Sequence, residues 1–206
     1  MVAAALMIFG AFVLDNPVQS FLKIEDHPGL SQLAKMASKS GEGWVVALAG
    51  LALALGLHFR RRTVAVRIVI LIVLASLIAG ASASITKGFV GRTRPNARAP
   101  QGFYRMRYEG KWIVGRYEFS SFPSGHAATV AGLAWAAWLL NRRLGLAASV
   151  YASLVCWSRV AQGAHHFSDV VAGTVFGMVA ACLVLRFIGP RVDRAMGKLE
   201  RKPTAG

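Results

Sequence analysis

Between Arg67 and Lys87 the chain passes through "IVILIVLASLIAGASASIT" without a single acid or base. That is close to the roughly 20 residues of helix needed to cross a bilayer's hydrocarbon. In lipid, such a segment must satisfy every backbone group internally, which a helix does. Apolar segments of similar character recur along the sequence: "VAAALMIFGAFVL" near the start, then Trp44–Phe59, Val64–Thr86, His126–Leu140, Leu144–Gly163 and Val170–Ile188. The reading is an all-α integral membrane bundle of six transmembrane helices, one domain over residues 1–206. The first run lacks a basic leader and ends in "DNPV", so it reads as a helix and not as a cleaved signal. Small residues interspersed in the segments allow close helix approach. Between the first two helices, Leu30, Leu33, Met36 and Ala37 fit one face of a short helix lying at the bilayer interface.

The 24 Lys and Arg against 9 Asp and Glu give a net charge of +15. In a soluble protein this would point to nucleic acid. Here the charges cluster between apolar runs, which points to topology and to anion binding, with no nucleic acid as partner. "RRR" at 60–62, "NRR" at 141–143 and the tail at 190–206 fall on one side of a six-helix chain, and the positive-inside tendency makes that side cytoplasmic. The extended loop from Lys87 to Tyr117 is also basic yet falls on the extracytoplasmic side. Its charges are then kept for binding. Cys156 and Cys182 lie in apolar segments and read as packing residues, not as a disulfide.

Three polar clusters meet at that outer face. In the first, "KGFVGRTRP", Lys87, Arg92 and Arg94 offer the point charge and planar forks that suit phosphate oxygens; a lipid-headgroup anchor is the plainer alternative. In the second, "FPSGH", Ser124 and Gly125 open a helix whose free N–H groups attract anions, with His126 in its first turn. In the third, "SRVAQGAHHFSD", His165 and Asp169 are four apart, so that the carboxylate can orient the ring, and Arg159 stands near membrane depth, where an unpaired arginine is costly. Histidines among arginines suit a dication poorly, so no metal and no cofactor are expected. The set suits metal-free phosphoryl transfer, with one imidazole attacking phosphorus and the other protonating the leaving alcohol. His165 is the preferred nucleophile, but spacing does not exclude His166.

These three stretches resemble, in order, the signature motifs of the type 2 phosphatidic acid phosphatase (PAP2) superfamily: K-x6-R-P, P-S-G-H and S-R-x5-H-x3-D. The resemblance covers Lys87 to Asp169 and implies a six-helix membrane fold. It implies that Lys87, Arg94, Ser124, Gly125 and Arg159 bind phosphate, His126 is the general acid and base, His165 the nucleophile and Asp169 its orienting partner. Arg92 is not a defining position. The expected function is a lipid phosphatase at the outer face of a bacterial-type inner membrane, acting on undecaprenyl pyrophosphate or a phosphatidyl-type phosphomonoester, alternatively on lipid A. The substrate is then a membrane lipid phosphate, and no obligate protein partner is inferred. A vanadate-dependent peroxidase and a non-catalytic headgroup-binding protein are the rival classes.

Overall fold

The computed structural model describes residues 2–24 and 27–200. Helices account for nearly all of its regular structure: α1 (Val2–Val13), α2 (Asp15–Leu22), α3 (Pro28–Ser40), α4 (Gly43–Phe59), α5 (Thr63–Val90), α6 (Gly125–Leu140), α7 (Arg142–Ala161), α8 (Phe167–Leu183) and α9 (Gly189–Glu200). A π-helical turn, Val184–Ile188, joins α8 to α9. In the long loop, Arg107–Tyr108 (β1) and Lys111–Trp112 (β2) pair as a small antiparallel hairpin, and a single antiparallel bridge joins Arg92 to Phe103.

The apolar segments became helices with ends shifted by a few residues. At α7 the shift has a clear cause. The Asn141 side chain accepts from the N–H groups of Arg143 and Leu144 and caps the helix, so the arginines belong to its first turn. α5 likewise runs on to Val90 and carries Lys87 in its last turn.

α6 is the hub, packed by α5, α7 and α8. Its "GHAATVAGLAWAAWLL" is rich in alanine, and the buried Ala128, Ala131 and Gly132 let neighbouring backbones come close. A Cβ on Gly177 would stand 2.5 Å from Gly132 N, and one on Gly132 would stand 2.9 Å from Ala75 O, so α5, α6 and α8 touch nearly backbone to backbone. α4 packs on α5, α3 on α7, and α1 on α8.

Three helical stretches are long and apolar enough to cross a membrane: Thr63–Val90, Arg142–Ala161 and Phe167–Gly197. A fourth arises if α3 and α4, bent by 65° at Gly41, count as one broken span. The described residues therefore give fewer full-length spans than the six expected from sequence. α6, with 16 residues, rises about 24 Å and α1, with 12, about 18 Å, both short of the hydrocarbon thickness. α3 forms where an interfacial helix was expected. It buries Ala34, Ala37 and Ser38 against α7 and turns Leu30, Leu33 and Met36 outward, so Ala37 leaves the face assigned to it.

Candidate active site

α5 must end sharply for the site to exist. Gly91 takes the left-handed conformation (φ 58°), and its N–H bonds the Lys87 carbonyl. The next turn throws Arg92 and Arg94 inward. Arg92 is buried and grips Asp169 Oδ1 (2.5 Å), Ser168 Oγ (2.7 Å) and Asp15 Oδ2 (2.7 Å), with its guanidinium packed beside the rings of Phe12 and Phe103. Arg94 donates to three backbone carbonyls: Tyr117 (2.9 Å), Ala164 (2.7 Å) and Ser120 (3.2 Å). It also stacks on the Tyr117 ring. The Lys87 ammonium, by contrast, has no protein hydrogen bond among the described residues, and its Nζ would stand 3.2 Å from a Cβ on Gly125.

The second cluster leads into α6. Ser121 is fully buried. Its N–H bonds the Arg92 carbonyl, and its hydroxyl donates to Asp169 Oδ2. Ser124 caps α6 by accepting from Ala127 N–H, and its own N–H donates to the Asp169 carbonyl (2.9 Å). That N–H is therefore not open to an anion, contrary to the expectation from sequence; the hydroxyl proton and Gly125 N–H are. His126 stands in the first turn with Nε2 buried and unpartnered.

The third cluster closes the site. The Arg159 carbonyl accepts from Ala164 and His165 N–H, tying the turn between α7 and α8, while its side chain reaches Ser38 Oγ and leaves Nε buried without a partner. His165 is wholly buried, and its Nδ1 lies 2.8 Å from the Ser121 carbonyl. A carbonyl can only accept, so Nδ1 carries the proton and Nε2 presents a lone pair. The Asp169 carboxylate lies 3.6 Å from Nδ1 and acts through charge. Its hydrogen bonds come instead from Arg92, Ser121 and the His166 N–H (2.8 Å), and the last closes the N-terminus of α8. Burial pulls His165 down to about 3 against the upward pull of Asp169, so the ring is neutral at physiological pH. His166 has the opposite tautomer, with Nε2 donating to the Thr93 carbonyl (3.2 Å).

Segments far apart in the chain thus converge at one end of the bundle. Lys87, Arg94 and Arg159 all act electrostatically on His126, and Arg94 and Lys87 on His165. A cavity of about 290 Å³ opens beside them, lined by Lys87, Gly125, His126 and Thr129 on one side and by Glu42 and Trp44 at the α3–α4 bend on the other. Asp169 already receives protein donors on both oxygens, and no cluster of three His, Cys, Asp or Glu side chains is set for a metal among the described residues. Sequence reasoning missed Ser121 and Asp15. Ser121 borders "FPSGH" but offers no spacing signal. Asp15 lies 154 positions from Asp169, and the one hint was an acid at the end of an apolar run.

The family model described as the PAP2 superfamily matches residues 65–193. Two curated relatives, both described as lipid A 1-phosphatase, come from Rhizobium etli and Rhizobium johnstonii. Each is 36% identical over 101 residues, 49% of this chain and 42% and 40% of theirs, so the chain spans less than half the length of the curated relatives it matches. Among solved structures, Aquifex aeolicus LpxE superposes with a TM-score of 0.61 at 21% identity, covering 84% of this chain and 96% of that one. A transmembrane PAP2-type phosphatidylglycerolphosphate phosphatase of Bacillus subtilis gives 0.66 at 19% identity, covering 92% and 96%. At such identities the likeness is one of fold.

Proposed function

The chain belongs to the PAP2 superfamily, and from that premise we propose that it is a membrane-embedded lipid phosphatase working through a phosphohistidine at His165, without metal. Of three buried, unpartnered imidazole nitrogens, two, His165 Nε2 and His126 Nε2, belong to rings under the charges of Lys87 and Arg94, whereas the cation acting on His166 is Arg92; that pair is the observation that carries the proposal. Buried polar atoms without partners are rare, and here a phosphoryl group supplies the partner. His165 Nε2 attacks phosphorus; the N–P bond forms as the P–O bond to the lipid breaks, and His126 gives its proton to the departing oxygen. Water then attacks phosphorus, His126 takes the proton back, and the N–P bond breaks to release phosphate. Lys87, the free donors of Arg159, Gly125 N–H and the Ser124 hydroxyl neutralise the phosphoryl oxygens. Arg94 contributes what is left after its three carbonyl bonds, chiefly its charge.

The substrate is proposed to be a phosphomonoester on a membrane lipid. The curated relatives are described as lipid A 1-phosphatases, which favours lipid A over undecaprenyl pyrophosphate. The proposed setting is a bacterial inner membrane with the site extracytoplasmic. In support, Arg60–Arg62, Arg142–Arg143 and Arg186–Arg194 all lie at the helix ends opposite the site. A six-pass arrangement accommodates the short α6, because that helix begins inside the site and needs to reach only one membrane surface.

The test is phosphate release by purified protein in EDTA from lipid A, phosphatidylglycerol phosphate, phosphatidate and undecaprenyl pyrophosphate. Release is expected to survive chelation and to fall at least ~10³-fold in His165→Ala. His166→Ala, which loses one carbonyl contact, is expected to fall less than about tenfold. Vesicle binding without release from any lipid would establish the headgroup-binding alternative and overturn the proposal.

A further inference from the structure

We propose that Asp15 is a positioning residue of the reaction, and that it sets the net charge of the buried cluster standing behind His165. The inference rests on the phosphatase reading above and extends the site to the N-terminal helices, which none of the three motifs reaches.

Asp15 opens α2 and is only 6% exposed. Its Oδ1 accepts from Ser168 N–H (2.7 Å), and its Oδ2 accepts from Ser168 Oγ (2.7 Å) and Arg92 Nη2 (2.7 Å). Ser168 N–H is one of the unpaired donors at the start of α8, so a carboxylate from another helix completes that terminus, where negative charge is favoured. The same Ser168 hydroxyl accepts from Arg92 Nη1, which also bonds Asp169 Oδ1. Asp15, Ser168, Arg92 and Asp169 therefore form one closed network, and Asp169 faces the His165 ring.

A charge count gives the network its function. Arg92 with Asp169 alone would be a neutral pair, and the carboxylate nearest His165 would be cancelled by the cation bound to it. With Asp15 present, the cluster of two carboxylates and one guanidinium carries a net charge of −1. When His165 Nε2 bonds phosphorus, the ring becomes cationic, and the excess negative charge of the cluster, whose Asp169 lies 3.6 Å from Nδ1, stabilises it in a site of low dielectric. Asp15 touches neither ring nor substrate. It acts by sharing Arg92.

The experiment uses the full chain in detergent and measures kcat, KM and the thermal unfolding midpoint. Asp15→Asn keeps the shape and removes the charge. Its kcat is expected to fall roughly 10- to 100-fold, as when a group supporting the reacting residue is lost, with KM within about twofold. The double variant Asp15→Asn with Arg92→Gln restores the −1 count while having fewer native bonds, and is expected to recover a large part of the lost kcat. A merely structural role predicts the reverse order. Should Asp15→Asn fail to fold, Asp15→Glu carries the test: it retains the charge and is expected to keep most of kcat whatever its melting point. An Asp15→Asn variant with unchanged kcat, a double variant no better than the single one, or a folded but inactive Asp15→Glu would each overturn the inference. Wild-type protein releasing no phosphate would instead overturn the phosphatase reading itself.

Discussion

The turn at Gly91 offers the most direct test of how the fold makes the site. A Cβ at this position would lie 1.8 Å from the Arg105 carbonyl oxygen, 2.7 Å from its carbon and 2.8 Å from its nitrogen, all backbone atoms with no rotamer to change. Gly91→Ala therefore meets two costs. The left-handed conformation costs about 1–2 kcal/mol once a Cβ is present. Relieving the overlap means moving the Arg105 backbone outward by more than 1 Å. That strains the bonds from Tyr104 N–H to the Gly91 carbonyl and from Arg105 N–H to the Val90 carbonyl, an overpacking cost of ~1–3 kcal/mol. Gly110 is the built-in control. Its φ is 74°, yet nothing stands within 4 Å of its Cβ position, so Gly110→Ala meets only the first cost. In thermal unfolding at matched detergent, Gly110→Ala is expected to lower the midpoint by a few degrees and Gly91→Ala by roughly twice as much, at about 2–4 °C per kcal/mol for a chain of this size. Phosphate release should be unchanged in Gly110→Ala. In Gly91→Ala it should fall about 10²-fold, because Arg92 and Arg94 leave the same turn and a 1 Å displacement carries a penalty of that order. Equal midpoints for the two variants would refute the close approach, and full activity in Gly91→Ala would refute its role in placing the arginines.

Arg94→Lys keeps the charge but cannot reach three carbonyls at once. It is expected to lower kcat/KM roughly 10- to 100-fold and to speed chymotryptic cleavage within residues 97–119, and unchanged cleavage would show that Arg94 does not staple that loop. The pH profile follows from the neutral His165 ring: with its protonation held down to about 3, lowering the pH from 7 to 5 leaves the nucleophilic lone pair in place. Within pH 5–9, kcat/KM is therefore expected to show no acid limb from the protonation of His165. An acid limb centred near the ordinary histidine value of about 6.5, with chemistry rate-limiting, would contradict the burial argument.

What was legible in the sequence is what lipid makes obligatory. A run such as Ile68–Thr86 has no alternative to helix, so α5 could be read directly. Its true end could not, because Lys87 looked like the start of a loop, and only Gly91 in a left-handed turn shows where the helix stops. Lys87, His126, Arg159, His165 and Asp169 could be singled out because charge inside apolar sequence is expensive and needs a reason. Their partners were another matter. The obvious reading of His165 and Asp169, four residues apart, was a direct hydrogen bond, yet the imidazole proton goes to the carbonyl of Ser121, 44 positions away. Backbone acceptors carry no signature in sequence. Asp15 was invisible for a related reason: its significance lies wholly in Ser168 and Arg92, which no spacing rule connects to it.

The arginines show why a count of cations overstates an anion site. Sequence supplies Lys87, Arg92, Arg94 and Arg159, all of which look equally ready to meet phosphate. Burial removes that equality, since a guanidinium withdrawn from water must find acceptors or its desolvation goes uncompensated. Arg92 finds two carboxylates and a hydroxyl; Arg94 finds three carbonyls. Both are bound up in holding segments together before any ligand arrives. Lys87 and the unpartnered Nε of Arg159 remain: Lys87 lines the same cavity as His126, and Arg159 acts on His126 through its charge. The proposed anion site is thus defined by subtraction: two of the cations build the frame, and the groups that the frame leaves unsatisfied are those proposed to meet a phosphoryl group.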